Sequence, residues 1–390
     1  MTQRLLAVAG LGIAVVLATA YLIASAGAVT TSADATTGAV ATTSSPAAAV
    51  FGPSLEPGVD PGVDPSLEPS SSAGQGPAGA SRPPGGDTGG GSSGQVRPIA
   101  LGAFIAGASN DPAKMDAFAQ MTGTKPRIIM WYQSWAGEWS AFAPKIANAI
   151  RSRGGMPMIS WEPSAGVRSD PTWSLATILS GKHDAYIRSW TSAVAAWGHP
   201  IYVRPMYEMN GWWAPWCASV NGNTPAEAVA AWRHIVNIAR AEGAANIRWI
   251  WSPNINIPRL ETPFAQLYPG DKYVDWVALD GFNRGTSWPT TTWVDMKTIF
   301  SDSIALLRQL TAKPLMIAET GSSEVGGSKA DWIRTSFARI PIDLPDVRAV
   351  VWFDEAEAKT GIDWRVNSSP SSLAAYRAVA TSAAFSGSLP

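Results

Sequence analysis

Eight short apolar runs, each followed by a helical pattern, are the feature of this sequence that most constrains its fold. The runs are continuous and rich in β-branched and aromatic residues, as is typical of buried parallel strands. They lie at Ala100–Ala106, Arg127–Gln133, Met156–Trp161, Ile201–Met206, Ile247–Ser252, Val274–Asp280, Pro314–Ala318 and Val347–Phe353. Eight strand–helix units over residues 98–390 predict an α/β protein with the architecture of a (β/α)8 (TIM) barrel.

The segments between these runs carry helix start and stop signals. Thr224, Pro225 and Glu227 supply an N-cap, a first-turn proline and a capping-box glutamate, and Gly243 ends the same helix. A doubly wound open sheet is the alternative architecture. Such a sheet normally carries a glycine-rich phosphate loop after an early strand, and the sequence contains none, so the barrel is favoured.

The first 97 residues are predicted to stand apart from the barrel. Arg4 precedes an apolar run that continues to about Val29 and ends in small residues. This pattern fits either a cleaved signal peptide or an uncleaved membrane anchor over residues 1–29. In both cases we expect an exported protein, either secreted or tethered to the outer face of the cytoplasmic membrane. Residues 30–97 are dominated by Ala, Thr, Ser, Pro and Gly and are predicted to form a disordered linker.

Charge and composition argue against several classes of protein. A formal net charge of −1 offers no basic face for nucleic acid. One cysteine, Cys217, and three scattered histidines suggest neither a metal cluster nor a nucleophile–base pair. We therefore expect no cofactor, no metal and an inert thiol at Cys217. The 19 tryptophans suggest a sugar or aromatic ligand site. We expect a monomer that contacts the membrane only through its N-terminal segment.

Carboxylates and tryptophans dominate the carboxyl ends of the predicted strands, where barrel enzymes carry their active sites. These positions are Trp135, Glu138, Trp161, Glu162, Glu208, Asn210, Asn254, Asp280, Asn283, Glu319, Trp352, Asp354 and Glu355. Paired carboxylates beside aromatic platforms indicate glycoside cleavage, since one carboxyl must protonate the leaving oxygen and another must attack or activate water. For Glu162, Asp280 and Asp354 we favour capping, rim pairing or contacts with substrate hydroxyls.

Two strand ends supply the most informative local sequences. The segment YVRPMYEMNGWWAPW places Glu208 between Arg204 and Asn210, with tryptophans just beyond, and KPLMIAETG places Glu319 before a Thr-Gly turn. A carboxylate at a buried strand end needs hydrogen-bond donors, which Arg204 or Asn210 can supply. An ordinary salt bridge is the alternative role for each glutamate.

These segments resemble glycoside hydrolase family 26, a family known mostly for β-mannanases within a clan of retaining (β/α)8 enzymes. The strand-4 motif is matched by Glu208, Met209, Asn210, Gly211, Trp213 and Trp216. The strand-7 glutamate is matched by Glu319, and the DWVALDGFN and VVWF segments also fit. The resemblance implies that Glu208 is the acid/base and Glu319 the nucleophile.

Ten further residues are predicted to bind substrate: Trp135, Arg204, Tyr207, Asn210, Trp213, Trp216, Trp251, Asn254, Phe282 and Trp352. Two of them depart from the family pattern. Tyr207 stands where the family usually carries His, and Phe282 stands where a Tyr commonly donates to the nucleophile. Loss of that hydroxyl predicts a more easily protonated Glu319, unless Tyr207 supplies the donor instead.

We therefore predict a retaining endo-β-glycanase that acts on a polysaccharide by double displacement, with β-1,4-mannan as the first candidate substrate. A β-1,3/1,4-glucan or a bacterial exopolysaccharide is the alternative, because loops rather than the barrel set substrate choice. A non-catalytic polysaccharide-binding barrel is the competing class. The intact Glu208 and Glu319 argue against it, whereas Tyr207 and Phe282 argue for it.

Overall fold

A closed barrel of eight parallel strands forms the centre of the computed structural model, which describes residues 98–256 and 262–389. The strands are Ala100–Ile105 (β1), Ile128–Ser134 (β2), Met156–Glu162 (β3), Ile201–Pro205 (β4), Ile247–Trp251 (β5), Trp276–Asp280 (β6), Leu315–Thr320 (β7) and Val347–Asp354 (β8). Each pairs with the next along the chain, and β8 closes on β1. The predicted fold class is confirmed, and every predicted strand lies within a residue or two of its expected bounds.

Helices cover the outside of the barrel. They are Ala113–Thr122 (α1), Pro144–Ser152 (α2), Leu175–Leu179 (α3), Asp184–Trp197 (α4), Pro225–Ala241 (α5), Phe264–Leu267 (α6), Met296–Leu310 (α7), Lys329–Asp343 (α8) and Pro370–Ala380 (α9). Helix α5 begins with the predicted capping box between Thr224 and Glu227. A short antiparallel hairpin, Ala356–Glu357 (β9) with Ile362–Asp363 (β10), follows β8.

The N-terminal predictions lie outside the described residues. This applies to the signal or anchor over residues 1–29 and to the linker over residues 30–97. Within the described ranges, no helix is long and apolar enough to cross a membrane.

Strand alternation divides the buried side chains between two layers. Met130, Tyr202 and Ala278 belong to the cluster inside the barrel, whereas Trp131 and Val203 belong to the layer between strands and helices. Successive strand residues point to opposite faces, so each position's parity decides its layer. Polar side chains that share the inward parity near the carboxyl ends therefore meet at one mouth of the barrel.

A bulge in β7 turns Glu319 toward the barrel axis. Two successive residues of β6 pair with Ile317 and Glu319, so β7 carries one extra residue at this point. Ala318 already packs inside the barrel, and simple alternation would send the next side chain outward to the helices. A bulge re-aims the side chain beside it, and Glu319 reaches Arg204 inside the barrel instead.

Candidate active site

Arg204, near the carboxyl end of β4, holds two carboxylates in place. Its Nη1 donates to Glu319 Oε1 at 2.9 Å, and its Nη2 donates to Asp280 Oδ2 and to Ser252 Oγ, the latter at 3.0 Å. Arg204, Asp280 and Glu319 have no exposed surface, and a buried charge is tolerated only when it is paired. Arg204 therefore orients the carboxylates of Asp280 and Glu319, and its predicted contact with substrate stays a prediction.

Glu208, in the loop after β4, has a strained backbone conformation. Its φ is 52°, in the left-handed region that residues other than glycine rarely adopt. The backbone N–H of Glu208 donates to the carbonyl of Ser252 at 2.7 Å, which fixes this turn against β5. Such strain is typical of functional sites, where the surroundings hold a side chain in a required direction.

Two donors orient the Glu208 carboxylate. Asn254 Nδ2 donates to Oε1 at 2.6 Å, and Trp213 Nε1 donates to Oε2 at 2.7 Å. Asn254 is itself held by Asn210, whose Oδ1 accepts from the Asn254 N–H at 2.9 Å and whose Nδ2 donates to the Asn254 carbonyl at 3.0 Å. A Cβ on Gly211 would lie 2.5 Å from the Trp213 ring, so glycine is needed for that ring to fold back over the turn.

Burial and the charge of Glu319 raise the pKa of Glu208 to about 8, although Asn254 and Trp213 oppose the rise. Burial also raises the pKa of Glu319, but the charge of Arg204 and the Tyr132 hydroxyl lower it. Glu208 is therefore protonated at neutral pH, while Glu319 has the arginine that favours its ionised form. An acid and a base kept apart by their surroundings are what glycoside cleavage requires.

The two carboxylate oxygens of Glu319 have different surroundings: Oε1 accepts from Arg204, whereas Oε2 is open in the sense that no described residue donates a hydrogen bond to it. Oε2 is buried and accepts no hydrogen bond from any described residue, and the Tyr132 hydroxyl is likewise without a partner of proper geometry. The hydroxyl nevertheless lies close enough to lower the pKa of Glu319. A carboxylate with one oxygen held by Arg204 and the other open is suited to nucleophilic attack.

Tyr207 contacts Glu162, and Phe282, which has no hydroxyl to donate, packs against an indole. The Tyr207 hydroxyl donates to Glu162 Oε1 at 2.7 Å. Burial raises the pKa of Glu162 to about 8, with that hydrogen bond opposing the rise. Phe282 packs against Trp364 with ring centroids 4.9 Å apart. Tyr132 on β2 places a hydroxyl beside Glu319. This residue was not among the predicted site residues, although Tyr132 follows the inward-facing Met130 by two positions and so shares its parity.

The predicted tryptophans fall into two groups. Trp213 is half-buried and donates to the Glu208 carboxylate. Trp251 and Trp352 are 1% and 0% exposed and pack in the layer between strands and helices, so their prediction as sugar platforms is wrong. Trp135 and Trp216 are also buried, the former against Trp161 and the latter through Nε1 on the Tyr207 carbonyl.

The remaining candidates have structural surroundings. Asp354 accepts from the Val366 N–H at 2.7 Å, in keeping with the favoured rim role. Asn283 Nδ2 donates to Ser322 Oγ at 2.9 Å and so links the loops after β6 and β7. Burial raises the pKa of the Cys217 thiol to about 12, as an inert thiol requires. Arg284 and Glu357 lie one and two residues beyond the predicted positions Asn283 and Glu355, in the segments after β6 and β8, and were missed.

A closed (β/α)8 barrel that carries a glutamate of raised pKa and an arginine-held glutamate at its carboxyl mouth has the arrangement that glycoside cleavage requires. Residues 169–322 match the family described as glycosyl hydrolase family 26. Endoglucanase H of Acetivibrio thermocellus is 37% identical over 285 residues, which are 72% of this chain and 30% of that protein. Over residues 169–322 the chain therefore carries a match to glycosyl hydrolase family 26, the family that the sequence resemblance implied.

Other relatives are more distant. A mannan endo-1,4-beta-mannosidase of Bacillus subtilis is 28% identical over 140 residues, which are 34% of this chain and 33% of that protein. This chain thus spans about a third of either curated relative. A modular endo-β-1,4-mannanase structure from Cellulomonas fimi gives a TM-score of 0.58 at 18% identity, covering 74% of this chain and 71% of that chain. At such identity the likeness supports the fold alone.

The pKa of Glu208 predicts the alkaline side of the pH–rate profile. A raised pKa means that the neutral acid persists up to about pH 8 and is lost above it, so kcat/KM should fall about tenfold per pH unit beyond that point. Replacing Trp213 with Phe removes a donor that lowers this pKa. The alkaline limb should therefore move upward by about one pH unit.

Trp212→Phe is the matched control, because Trp212 lies next to Trp213 and packs on its ring without any hydrogen bond to Glu208. Its alkaline limb should coincide with that of the wild type in the same buffers. A limb that moves equally in both variants, or in neither, would show that the indole donor does not set the pKa of the acid.

Proposed function

We propose that the barrel is a retaining endo-β-glycanase that acts by double displacement. The observation that carries this proposal is the open Oε2 of Glu319 in a mouth where Glu208 is protonated. Glu319 Oε2 attacks the anomeric carbon as the glycosidic bond breaks, and Glu208 gives its proton to the leaving oxygen. A glycosyl ester on Glu319 results.

The same charges support the second half of the reaction. Ionised Glu319 raises the pKa of Glu208, and this effect ends when Glu319 becomes a neutral ester. Glu208 has lost its proton by then and stays ionised more readily. It accepts a proton from water, the water oxygen bonds to the anomeric carbon, and the ester bond to Glu319 breaks, which releases the sugar with its original configuration.

Replacing Glu208 with Ala tests the acid role. Hydrolysis of an unactivated polysaccharide should fall by about 10²- to 10⁴-fold, because its leaving oxygen needs the proton. A dinitrophenyl glycoside, whose leaving group departs as the anion, should form the ester at a rate close to that of the wild type. Glu138→Ala, at an exposed glutamate, should leave both rates unchanged. Equal losses on the two substrates would contradict the assignment.

β-1,4-Mannan is the first candidate substrate. It is supported by the mannosidase names that recur among the relatives and by the mannanases that share the fold. A β-glucan is the second candidate, favoured by the higher identity to Endoglucanase H over a longer stretch. Because this chain covers 30% of that protein, its printed name can describe a part that this chain does not match.

A panel of β-mannan, mixed-linkage β-glucan and an acidic bacterial exopolysaccharide separates these substrates. We expect rapid loss of viscosity on one neutral glycan, as internal cleavage requires, and a β-configured first product by NMR. Binding to a glycan without any release of reducing ends would instead support the non-catalytic alternative.

We further propose that the chain is exported, either secreted or anchored at the outer face of the cytoplasmic membrane. Arg4 and the following apolar run support this proposal. A mature N-terminus near Val29 in the culture medium would support cleavage, and an intact Met1 in the membrane fraction would support an anchor. Full-length chain in the soluble cytoplasmic fraction would contradict both.

A further inference from the structure

Arg284, in the loop after β6, presents a guanidinium that the protein holds without satisfying its donors. Its central carbon lies 4.8 Å from the ring centroid of Trp288, 5.5 Å from Phe282 and 5.9 Å from Trp364. Its Nε is buried, and the guanidinium forms no hydrogen bond or ion pair with a described residue. The rings restrain the group in position but accept none of its N–H bonds in the plane of the fork.

Glu357, on the hairpin after β8, presents the complementary acceptor. Its Oε2 accepts from Trp364 Nε1 at 3.0 Å and from Thr360 Oγ1 at 2.7 Å. Its Oε1 is buried and has no partner among the described residues. The carboxylate is therefore fixed in orientation by one oxygen, while the other remains available.

One indole joins the two groups. The Trp364 ring lies beside the Arg284 guanidinium, and the N–H of the same ring holds Glu357. Arg284 and Glu357 have opposite charges, yet they form no ion pair with each other. A buried donor and a buried acceptor that lie around one ring and have no partners among the described residues are costly unless a ligand satisfies them.

Arg284 and Glu357 lie on the same side of the barrel mouth as Glu208 and Glu319. Burial lowers the pKa of Arg284, and the charges of Glu208 and Glu357 oppose that change. The charge of Glu357 in turn acts to raise the pKa of Glu319. A Cβ on Gly321, two residues after Glu319, would lie 3.2 Å from the Trp364 ring, so the indole that joins the donor and the acceptor packs beside the segment that carries Glu319.

We propose that Arg284 and Glu357 form a binding subsite for a neutral pyranose, in which vicinal sugar hydroxyls accept from the guanidinium and donate to Glu357 Oε1. A hydroxyl is both donor and acceptor, and a vicinal pair can satisfy both protein groups at once. The subsite is a refinement of the proposed function and rests on it. It assigns Arg284 and Glu357 to specificity, not to the bond-breaking step.

The surrounding charges select against acidic sugars. Glu319, Glu355 and Glu357 lie on this side of the mouth, while Arg204 is already paired with Glu319 and Asp280. Burial and the charges of Glu357 and Glu319 raise the pKa of Glu355 to about 7. A uronate carboxylate would add a further negative charge to this group, so we expect acidic oligosaccharides to be excluded.

Conservative variants test the subsite. Arg284→Lys keeps the charge but loses Nε and the planar fork, and Glu357→Gln keeps an oxygen that can accept from Trp364 and Thr360 while losing the charge. On the neutral hexasaccharide of whichever glycan the wild type hydrolyses, each should raise KM by about 10- to 100-fold with kcat changed less than threefold. Arg334→Lys, on the exposed face of α8, is the matched control and should leave both constants unchanged.

Direct binding separates failure of the subsite from failure of the proposed function. Calorimetry is run with mannohexaose, a mixed-linkage glucan hexasaccharide and an oligouronate of equal length, and thermal unfolding checks that each variant folds. A neutral oligosaccharide should bind at least tenfold more tightly than the oligouronate, and both variants should lose that binding. Wild-type binding without hydrolysis would overturn the proposed function alone. Four results would each overturn the subsite. They are unchanged affinity and KM in folded variants, losses confined to kcat, preference of the wild type for the oligouronate, and no wild-type binding to either neutral probe.

Discussion

Replacing Glu319 with Gly should lower hydrolysis of the natural polysaccharide by a factor on the order of 10⁵, because the carboxylate proposed to form the glycosyl ester is lost. Arg204 keeps Asp280 as its counterion in this variant, so the fold should survive. The space left by the carboxylate admits a small anion. With an activated aryl glycoside as substrate, added azide should therefore restore part of the rate and give the α-glycosyl azide.

Glu138→Gly is the control, since it removes an exposed carboxylate and inserts the same flexible residue. It should retain wild-type activity and show no response to azide. A β-configured azide product would mean that azide had attacked a glycosyl ester formed on another residue, and would contradict the role of Glu319. Full activity of the Glu319→Gly variant would exclude Glu319 from the reaction.

Replacing Arg204 with Met should remove both stability and activity. The guanidinium is the counterion of two fully buried carboxylates, and breaking such a pair typically costs about 3–5 kcal/mol of unfolding free energy. Without it, the pKa values of Asp280 and Glu319 should rise, since the charge that most favours their ionised forms is lost. Neutral carboxyls are cheaper to bury, so the loss of stability should be smaller at pH 5 than at pH 8.

Urea unfolding at the two pH values measures this effect, with Arg248→Met as the control. Arg248 is an exposed arginine of β5 that donates to backbone carbonyls and holds no carboxylate. Adding Asp280→Asn to Arg204→Met removes one uncompensated charge and should recover part of the stability at pH 8, though not the activity. A loss equal to that of Arg248→Met, or one independent of pH, would show that the two carboxylates do not need Arg204 as their counterion.

The barrel and the positions of Glu208 and Glu319 at its carboxyl mouth were accessible from sequence because both leave a local signature. A strand buried on two faces needs a continuous apolar run, whatever surrounds it in space, and all eight runs became strands. The mouth of a parallel barrel collects whatever follows those runs. Glu208 and Glu319 follow β4 and close β7, within motifs specific enough to indicate their family.

The direction of each side chain was decided by the tertiary structure. Trp251, at the end of β5, and Trp352, two residues before the end of β8, have outward parity and pack under the helices, whereas a single extra residue in β7 turns Glu319 inward. Such phase changes depend on how neighbouring strands pair, which a single segment does not encode.

The partners of the site residues were likewise set only by closure of the barrel. Tyr132 from β2 meets Glu319 from β7, and Arg284 after β6 shares an indole with Glu357 after β8. These contacts join residues far apart along the chain. The sequence by itself determined which segments are strands and which carboxylates lie at their ends. Which side chains face one another was fixed only when eight strands closed and brought distant segments within a few ångströms.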